Sequence, residues 1–361
     1  MTHTHLAIGL MSGTSMDGVD AALIESDGDG HVVSRGFLFC PYEADFRQRL
    51  KDAAARALEF HAPGDDAMIA AVEQELTGLH AMAVHRLLAA TGTDRADVRI
   101  IGFHGHTVAH RPDRRWTWQI GDGAGLKAAT RIPVAFDFRS ADVAAGGQGA
   151  PLAPGFHRAL SAGLGDRIGV LNLGGVGNLT WFADGRWGSF DTGPGNALID
   201  DWTALHTGRS YDKDGVLAGG GTVHDNVLMT MADNAWFDAP PPKSLDRGAW
   251  DASVVRGLSP ADGAATLTAF TAETVRLALG HVPRLERLLV TGGGRHNPVL
   301  MREIARRCGV AADPVEAVGW NGDALEAQAF AWLALRTLDG RAISWPETTG
   351  APTPMTGGRV A

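Results

Sequence analysis

The sequence predicts an α/β fold made twice over, two domains of one plan enclosing a cleft. Two observations carry that prediction. The first is residues 6–25, LAIGLMSGTSMDGVDAALIE. An apolar run (6–11) meets the small and hydroxyl residues Ser12, Gly13, Thr14 and Ser15, and a second apolar run (19–24) follows. This is the layout of a β-hairpin whose turn carries little side-chain bulk, so that backbone N–H groups can point at an anion. The second is the return of the pattern from Arg167 in RIGVLNLGGVGNLTWF. An apolar run to Leu173 is followed by Gly174, Gly175, Val176, Gly177 and Asn178, and then by a second run to Phe182. A repeated strand, glycine-rich turn and strand points to a phosphate held by two loops.

The elements after each hairpin repeat as well. Residues 67–90 carry apolar positions at helical spacing and lead into RIIGFHGHTVAH, an apolar strand expected to end at Gly102. In the second half, residues 264–279 read as a helix and lead into RLLVTGGGRHNPVL. That strand ends in Gly292, Gly293 and Gly294, which open a helix over 298–308. Between these units lie an apolar strand at 132–136, the flexible loop AAGGQGAP, and a short strand at 187–190 ending at Asp191. The domain boundary is expected within 149–167, whose helical part (154–162) carries the chain from the first sheet to the second. The first domain, 1–155, then holds the first phosphate loop. The second, 156–361, holds the second phosphate loop, an adenosine site and a terminal helix (323–338) returning to the interface. Residues 238–246 (DAPPPKSLD) read as a surface loop. The tail, 344–361, lacks apolar periodicity and is expected to fray.

Composition agrees with an enzyme without choosing it. At 361 residues two domains are the better expectation than one core, and with 45% hydrophobic and 20% charged residues the chain can bury a substantial interior. A net charge of −9, from 41 acids against 32 bases, argues against a general nucleic-acid binder, whose affinity comes from neutralising phosphates. No run approaches the roughly 18–20 apolar residues of a membrane span. The start, MTHTHLAIGL, has no basic n-region and runs straight into the first strand, so no signal peptide is expected. Cys40 and Cys308 have no partner motif and read as reduced, buried thiols of a cytoplasmic protein. A homodimer is compatible with all of this.

Several side chains invite a chemical reading. The acids Asp17 and Asp20 flank the first turn, where a phosphate-bound Mg²⁺ wants oxygen ligands, so residues Gly13, Thr14, Ser15, Met16, Asp17, Gly18, Val19 and Asp20 form the first candidate nucleotide contact. Gly174, Gly175 and Asn178 form the second. Asp191, in SFDTGPGN, is either a turn or helix-capping residue or a functional carboxylate at a strand end. Arg139 presents a planar fork suited to a carboxylate, or else pairs with Asp137 at the loop base; Asp142 is a candidate ligand for a metal or a sugar hydroxyl. His104, His106 and His110 lack a Cys or carboxylate at a zinc spacing. There is no G-x-x-x-x-G-K-[ST], which argues against a P-loop kinase. Glu326 reads as the reciprocal half of a capping box begun by Asp323, or as a functional acid.

The segments GLMSGTSMDGVDAAL, FHGHT, DFRSADVAAGGQGAPL, NLGGVGNLT, FDTGPGNALIDDW, TGGGRHNP and DALEAQAFAWLA together resemble the anhydro-N-acetylmuramic acid kinases, in one order from about residue 6 to 335. The resemblance implies the duplicated actin-like, ribonuclease H-like fold of a sugar kinase. It also implies an enzyme that opens the internal anhydro bridge of a cell-wall amino sugar and phosphorylates the freed hydroxyl with ATP and Mg²⁺ in bacterial peptidoglycan recycling. It makes Asp191 the general base for the attacking water; beside it, Gly292, Gly293 and Gly294 read as a rest for adenosine and His104, Thr107, Arg139, Asp142 and Glu326 as candidate sugar contacts, with Arg139 toward the lactyl acid. Other readings on the same scaffold are a phosphatase, an ordinary sugar kinase acting on a free hydroxyl, and a nucleotide-dependent binding module that closes without transferring phosphate.

Overall fold

The computed structural model describes residues 3–13, 15–245, 248 and 250–361. Thr14 of the first turn and Asp246 at the end of the 238–246 loop lie outside the described residues. The chain divides into two compact units, Met1–Ala162 with Asp323–Ala361, and Gly163–Gly322.

In the first unit, β1 (His5–Ser12), β2 (Gly18–Ser26) and β3 (Val32–Pro41) form an antiparallel meander. Parallel to β1 on its other side lies β4 (Val98–Arg111), which pairs antiparallel with β5 (Trp116–Ile120) and parallel with β6 (Val134–Phe136). The second unit repeats the plan: β7 (Ile168–Leu173), β8 (Val176–Ala183) and β9 (Arg186–Pro194) form a meander. Next to β7 lie the parallel strands β10 (Arg287–Thr291) and β11 (Ala311–Pro314). Strands β1, β2, β3, β4 and β6 thus correspond one for one with β7 to β11, and the expected duplication is present in the strand order. A last short strand, β12 (Arg359–Val360), closes the edge of the first sheet against β6.

Alternation along β1 dictates how the first sheet is covered, because successive side chains point to opposite faces. Ile8 and Leu10 join a core with Val72, Leu76 and Leu87 of the helix Ala67–Thr91. Gly9 faces the other way. A Cβ there would sit 1.7 Å from the Ala327 carbonyl oxygen, and one at Gly102 of β4 would sit 2.0 Å from that of Phe330. The terminal helix, Leu325–Leu338, therefore rests directly on the backbone of β1 and β4. Gly102 is a packing residue inside a strand, not its end: β4 continues to Arg111 because its outer half pairs with β5. The same packing places residues from Asp323 onward in the first unit, whereas the sequence alone assigns all of 156–361 to the second.

The tail is ordered by polar anchors that periodicity cannot reveal. Ser344 pairs with Met355, the helix Pro346–Thr349 buries Thr348 and Thr349, and β12 joins the sheet. The expectation that it frays is wrong for that reason. In the second unit the helices Pro260–Leu279 and Pro298–Cys308 cover a core of Leu171, Leu179, Phe190, Val275, Leu288 and Ile304. Ser259 caps the first of these by accepting from the Asp262 N–H, and Asn297 caps the second. Cys40 and Cys308 are half-buried free thiols, that of Cys308 pushed up to about 12 by burial. Among the described residues no helix is long and apolar enough to cross a membrane.

Candidate active site

The first turn is clamped at both ends by one residue. Tyr42, just beyond β3, donates its hydroxyl to Ser12 Oγ (2.9 Å), and its backbone N–H reaches the Asp17 carbonyl (2.8 Å). Ser12 Oγ also lies 3.0 Å from His106 Nδ1, and the Met16 N–H closes the turn on the Gly13 carbonyl (3.0 Å). Ser12, Tyr42 and His106 are buried, and burial holds the His106 imidazole at about 4, hence neutral. Sequence reasoning missed Tyr42 altogether, named Ser12 only as a small turn residue and weighed His106 only as a zinc ligand; their meeting is set by strand pairing. Ser15 and Asp17 are exposed and hydrogen-bonded to each other (2.7 Å). The turn's positive φ belongs to Met16, not to Gly13. Gly18 and Val19 are not turn residues: both lie in β2, Val19 inside the core and Gly18 where a Cβ would meet the Cys40 carbonyl at 2.3 Å.

Asp20, on β2, has its carboxyl raised to about 7 by burial, then by the carboxylates of Asp17, Glu326 and Asp323. Glu326 is exposed in the first turn of the terminal helix, whose N-cap is Ala324 with no side-chain cap bond. The expected capping box is therefore absent: the helix starts one residue too late for Asp323 to cap it. Among the described residues no group of three or more His, Cys, Asp or Glu side chains is arranged as a metal cage.

Beside this acid group, on β4 and the segment after β6, lies a second polar cluster. Arg139 donates from Nε (3.2 Å) and Nη2 (3.0 Å) to His104 Nε2, and from Nη1 to the Gly149 carbonyl (2.7 Å). His104 must then accept at Nε2 and be neutral, which agrees with a pKa held well below the usual range by burial and by Arg139. Burial also lowers the Arg139 guanidinium, to about 10. The alternative pairing of Asp137 with Arg139 is not formed, since Asp137 bonds Arg359 at 2.9 Å. Asp142 is not disposed as a ligand. Its buried carboxylate accepts from the Gly149 N–H (2.6 Å), Ser344 Oγ (2.5 Å) and Thr349 Oγ1 (2.6 Å), tying the glycine-rich loop to the tail. Thr107 is half-buried and accepts from Gln119 Nε2 (3.1 Å).

In the second unit the turn is tighter than expected. Only Gly174 and Gly175 lie outside the strands; Val176, Gly177 and Asn178 already belong to β8. Its carbonyls are committed: Gly174 O accepts from the Asn196 N–H (2.7 Å), and Gly175 O from those of Gly195 (2.9 Å) and Ala197 (3.3 Å). Strand register aligns Thr291, Asn172, Asn178 and Asp191 side by side across β10, β7, β8 and β9. Asp191 does not end its strand, since β9 runs on to Pro194 past an irregularity opposite Gly177 and Asn178. It caps no helix. Its own N–H donates to the Lys243 carbonyl (3.0 Å), and its Oδ2 accepts from the Leu245 N–H (2.8 Å). Burial raises its carboxyl to about 7 while the Leu245 N–H opposes the rise.

Of the three glycines after β10, Gly292 and Gly294 are packed against the end of β7, with Cβ positions 2.4 Å from Asn172 Oδ1 and 2.6 Å from Leu173 Cβ. Gly293 alone is exposed and has room for a Cβ, whose nearest neighbour would be Asn196 Nδ2 at 3.8 Å. Arg295, which sequence reasoning missed, braces this turn through Glu316 (2.9 Å) and the Gly292 carbonyl (3.0 Å).

Two sheets of one strand order, each with a small-residue turn after its first strand, define a duplicated α/β protein of the actin-like, ribonuclease H-like fold. Among solved structures, component A of the (R)-2-hydroxyglutaryl-CoA dehydratase of Acidaminococcus fermentans shares the fold, with a TM-score of 0.50 and 11% identity over 93% of this chain and 99% of that one. The family model for anhydro-N-acetylmuramic acid kinase matches residues 5–361. Proteins of that name from Rhizorhabdus wittichii and Paramagnetospirillum magneticum are 59% and 53% identical, over 98% of this chain and 98% and 99% of theirs. The chain belongs to the anhydro-N-acetylmuramic acid kinase family and is a phosphotransferase that uses ATP.

Proposed function

We propose that the enzyme opens the 1,6-anhydro ring of anhydro-N-acetylmuramic acid and phosphorylates the 6-hydroxyl, giving N-acetylmuramic acid 6-phosphate in peptidoglycan recycling. Water attacks the anomeric carbon and gives its proton to Asp191. The bond from that carbon to O6 breaks, and O6 takes the γ-phosphoryl group as ADP leaves. The supporting observation is Asp191 itself, a carboxyl poised near 7 and held by one backbone N–H, which matches a general base at neutral pH. Glycoside opening ordinarily needs a second carboxyl to protonate the leaving oxygen. Here the phosphoryl group is the electrophile that the oxygen meets instead.

The N–H groups of Gly174 and Gly175, whose carbonyls are spent, and of the clamped 12–17 turn are the proposed phosphate contacts, with Gly293 against the adenosine. The Asp17 and Asp20 oxygens suit Mg²⁺, which is commonly held by one or two carboxylates with phosphate and water making up its shell. Asp20 is raised first by burial and then by repulsion from Asp17, Glu326 and Asp323, and such a cation relieves that repulsion. When bound, Mg²⁺ supplies charge neutralisation on the transferring phosphate. Arg139, with no carboxylate partner within ion-pair distance among the described residues, suits the lactyl carboxylate, and His104 fixes its plane. The protein is placed in the cytoplasm on this reading, where ATP is supplied.

The test is turnover with ATP, Mg²⁺ and the anhydro sugar in ¹⁸O-water. The label is expected on the anomeric hydroxyl and not in the phosphate. A phosphorylated product with the anhydro bridge intact, or activity only on the ring-opened sugar, overturns the reading.

A further inference from the structure

The segment 239–245 reads from the sequence as part of a surface loop, yet it contains one of only four lysines in the chain and touches Asp191 twice. The Asp191 N–H donates to the carbonyl of Lys243, and the N–H of Leu245 donates to Asp191 Oδ2, so the segment brackets both the backbone and the side chain of that residue. The Lys243 ammonium fixes the segment in place. Its Nζ donates to the Trp236 carbonyl (3.0 Å) and the Phe237 carbonyl (2.9 Å) and lies 4.4 Å from the centre of a Trp236 ring. Phe237, in turn, is buried with Phe270 of the helix Pro260–Leu279. A charged side chain spent on main-chain carbonyls, with no carboxylate in ion-pair contact among the described residues, is an anchor and not a solvated surface group.

We propose that segment 239–245, pinned by Lys243, is a positioning strap for Asp191, aiming its carboxylate through the Leu245 N–H. The proposal rests on the reading of Asp191 as the general base. Burial alone drives a carboxyl upward; a backbone N–H favours the ionised form and brings it back toward neutrality. The titratable groups around the strap are Lys243 and Asp238, with His281 on the Phe237 carbonyl at 2.7 Å. Among the described residues none of them acts on Asp191, whose charge answers there to burial and to the Leu245 N–H. The strap thus tunes a proton affinity by geometry, through a backbone N–H.

Lys243→Met keeps the stem and removes the anchor, Lys243→Arg restores a cation, and Leu245→Pro deletes the N–H itself. In Lys243→Met and Leu245→Pro the acid limb of the kcat–pH profile is expected to rise by roughly one to two pH units, the worth of a hydrogen bond to a charged group. At pH 7 kcat then falls about five- to fifty-fold and recovers at alkaline pH, with KM for ATP unchanged. Lys243→Arg should lie near wild type. A carbon-detected titration of the Asp191 carboxyl reads the same shift without turnover. A folded variant whose kcat is unchanged, or lowered equally at every pH, overturns the strap, as does an unmoved Asp191 titration in whichever variant folds. Asp191→Asn separates the two ideas: if it still turns over, the base reading fails, whereas an inactive Asp191→Asn beside unshifted Lys243→Met leaves the base and removes the strap.

Discussion

Asp191→Asn should make the protein more stable at alkaline pH while abolishing turnover. Burial raises this carboxyl from 3.8 to about 7. In the folded state it therefore holds its proton over a range in which the unfolded chain has lost it. The stability this contributes is complete below 3.8 and disappears as pH rises through about 7, so at pH 8 the wild type carries the full cost of a buried charge. About three pH units at 1.36 kcal/mol each set an upper bound of about 4 kcal/mol. The side chain is only half-buried, and water screening reduces that to roughly 1–3 kcal/mol. Asparagine keeps the size and can still accept from the Leu245 N–H, but carries no charge. For a unit the size of Gly163–Gly322, each kcal/mol is about 2–4 °C of Tm. Melting curves of both proteins at pH 5, 6, 7 and 8 should show an advantage for the variant at pH 8 that shrinks steadily toward pH 5. A pH-independent difference, or a less stable variant at pH 8, would refute the burial argument, whatever the activity does.

Other perturbations separate the remaining parts. Tyr42→Phe loses only the hydroxyl that holds Ser12, so KM for ATP should rise about fivefold with KM for the sugar unchanged; equal rises would mean the clamp does not serve the nucleotide turn. Arg139→Met should raise KM for the sugar about 10- to 100-fold and leave ATP binding by calorimetry intact, and loss of both ligands together would point to misfolding instead. Gly9→Val should give no folded protein in circular dichroism, because its Cβ has no room over the Ala327 carbonyl; a folded Gly9→Val would show that the terminal helix can lift from the sheet.

The duplication was legible because each meander announces itself by two apolar runs around small residues, a local signal. The features that escaped are decided by strands meeting out of sequence. Gly102 looks like a strand end until Phe330, far along the chain, is laid over it. Asp142 has the chemistry of a ligand and becomes a structural acid only when Ser344 and Thr349 arrive from the tail. The tail itself has no periodicity to read, because polar anchors and a two-residue strand hold it. In the candidate site, Gly13, Asp20 and Asp191 were visible as small or acidic residues beside apolar runs. The parts of Tyr42, His106 and Lys243 were not, since contacts to the Ser12 hydroxyl from β4 and from just beyond β3, and to main-chain carbonyls, leave no spacing in the sequence.

Asp20 and Asp191 are both raised to about 7 but for different reasons, and the reasons fit the roles proposed for them. Asp191 is raised by burial, with no charged neighbour shifting it among the described residues, so its proton affinity is available to a water molecule. Asp20 is raised by burial and by three carboxylates, Asp17, Glu326 and Asp323, an excess of negative charge that a cation relieves. A base next to such a group would compete with metal for the same lone pairs; a metal ligand among apolar neighbours would find no second oxygen. Hence Mg²⁺ with ADP should pull the Asp20 titration down from about 7 by a unit or more, roughly what one opposite charge within a few ångströms does to a carboxyl. Carbon-detected NMR of the Asp20 carboxyl with and without MgADP measures it, and Asp17→Asn should lower the same titration without metal by removing one repelling charge. If Asp20 titrates near 7 in all three states, its shift comes from burial alone, and the acids beside the first turn are not the metal's.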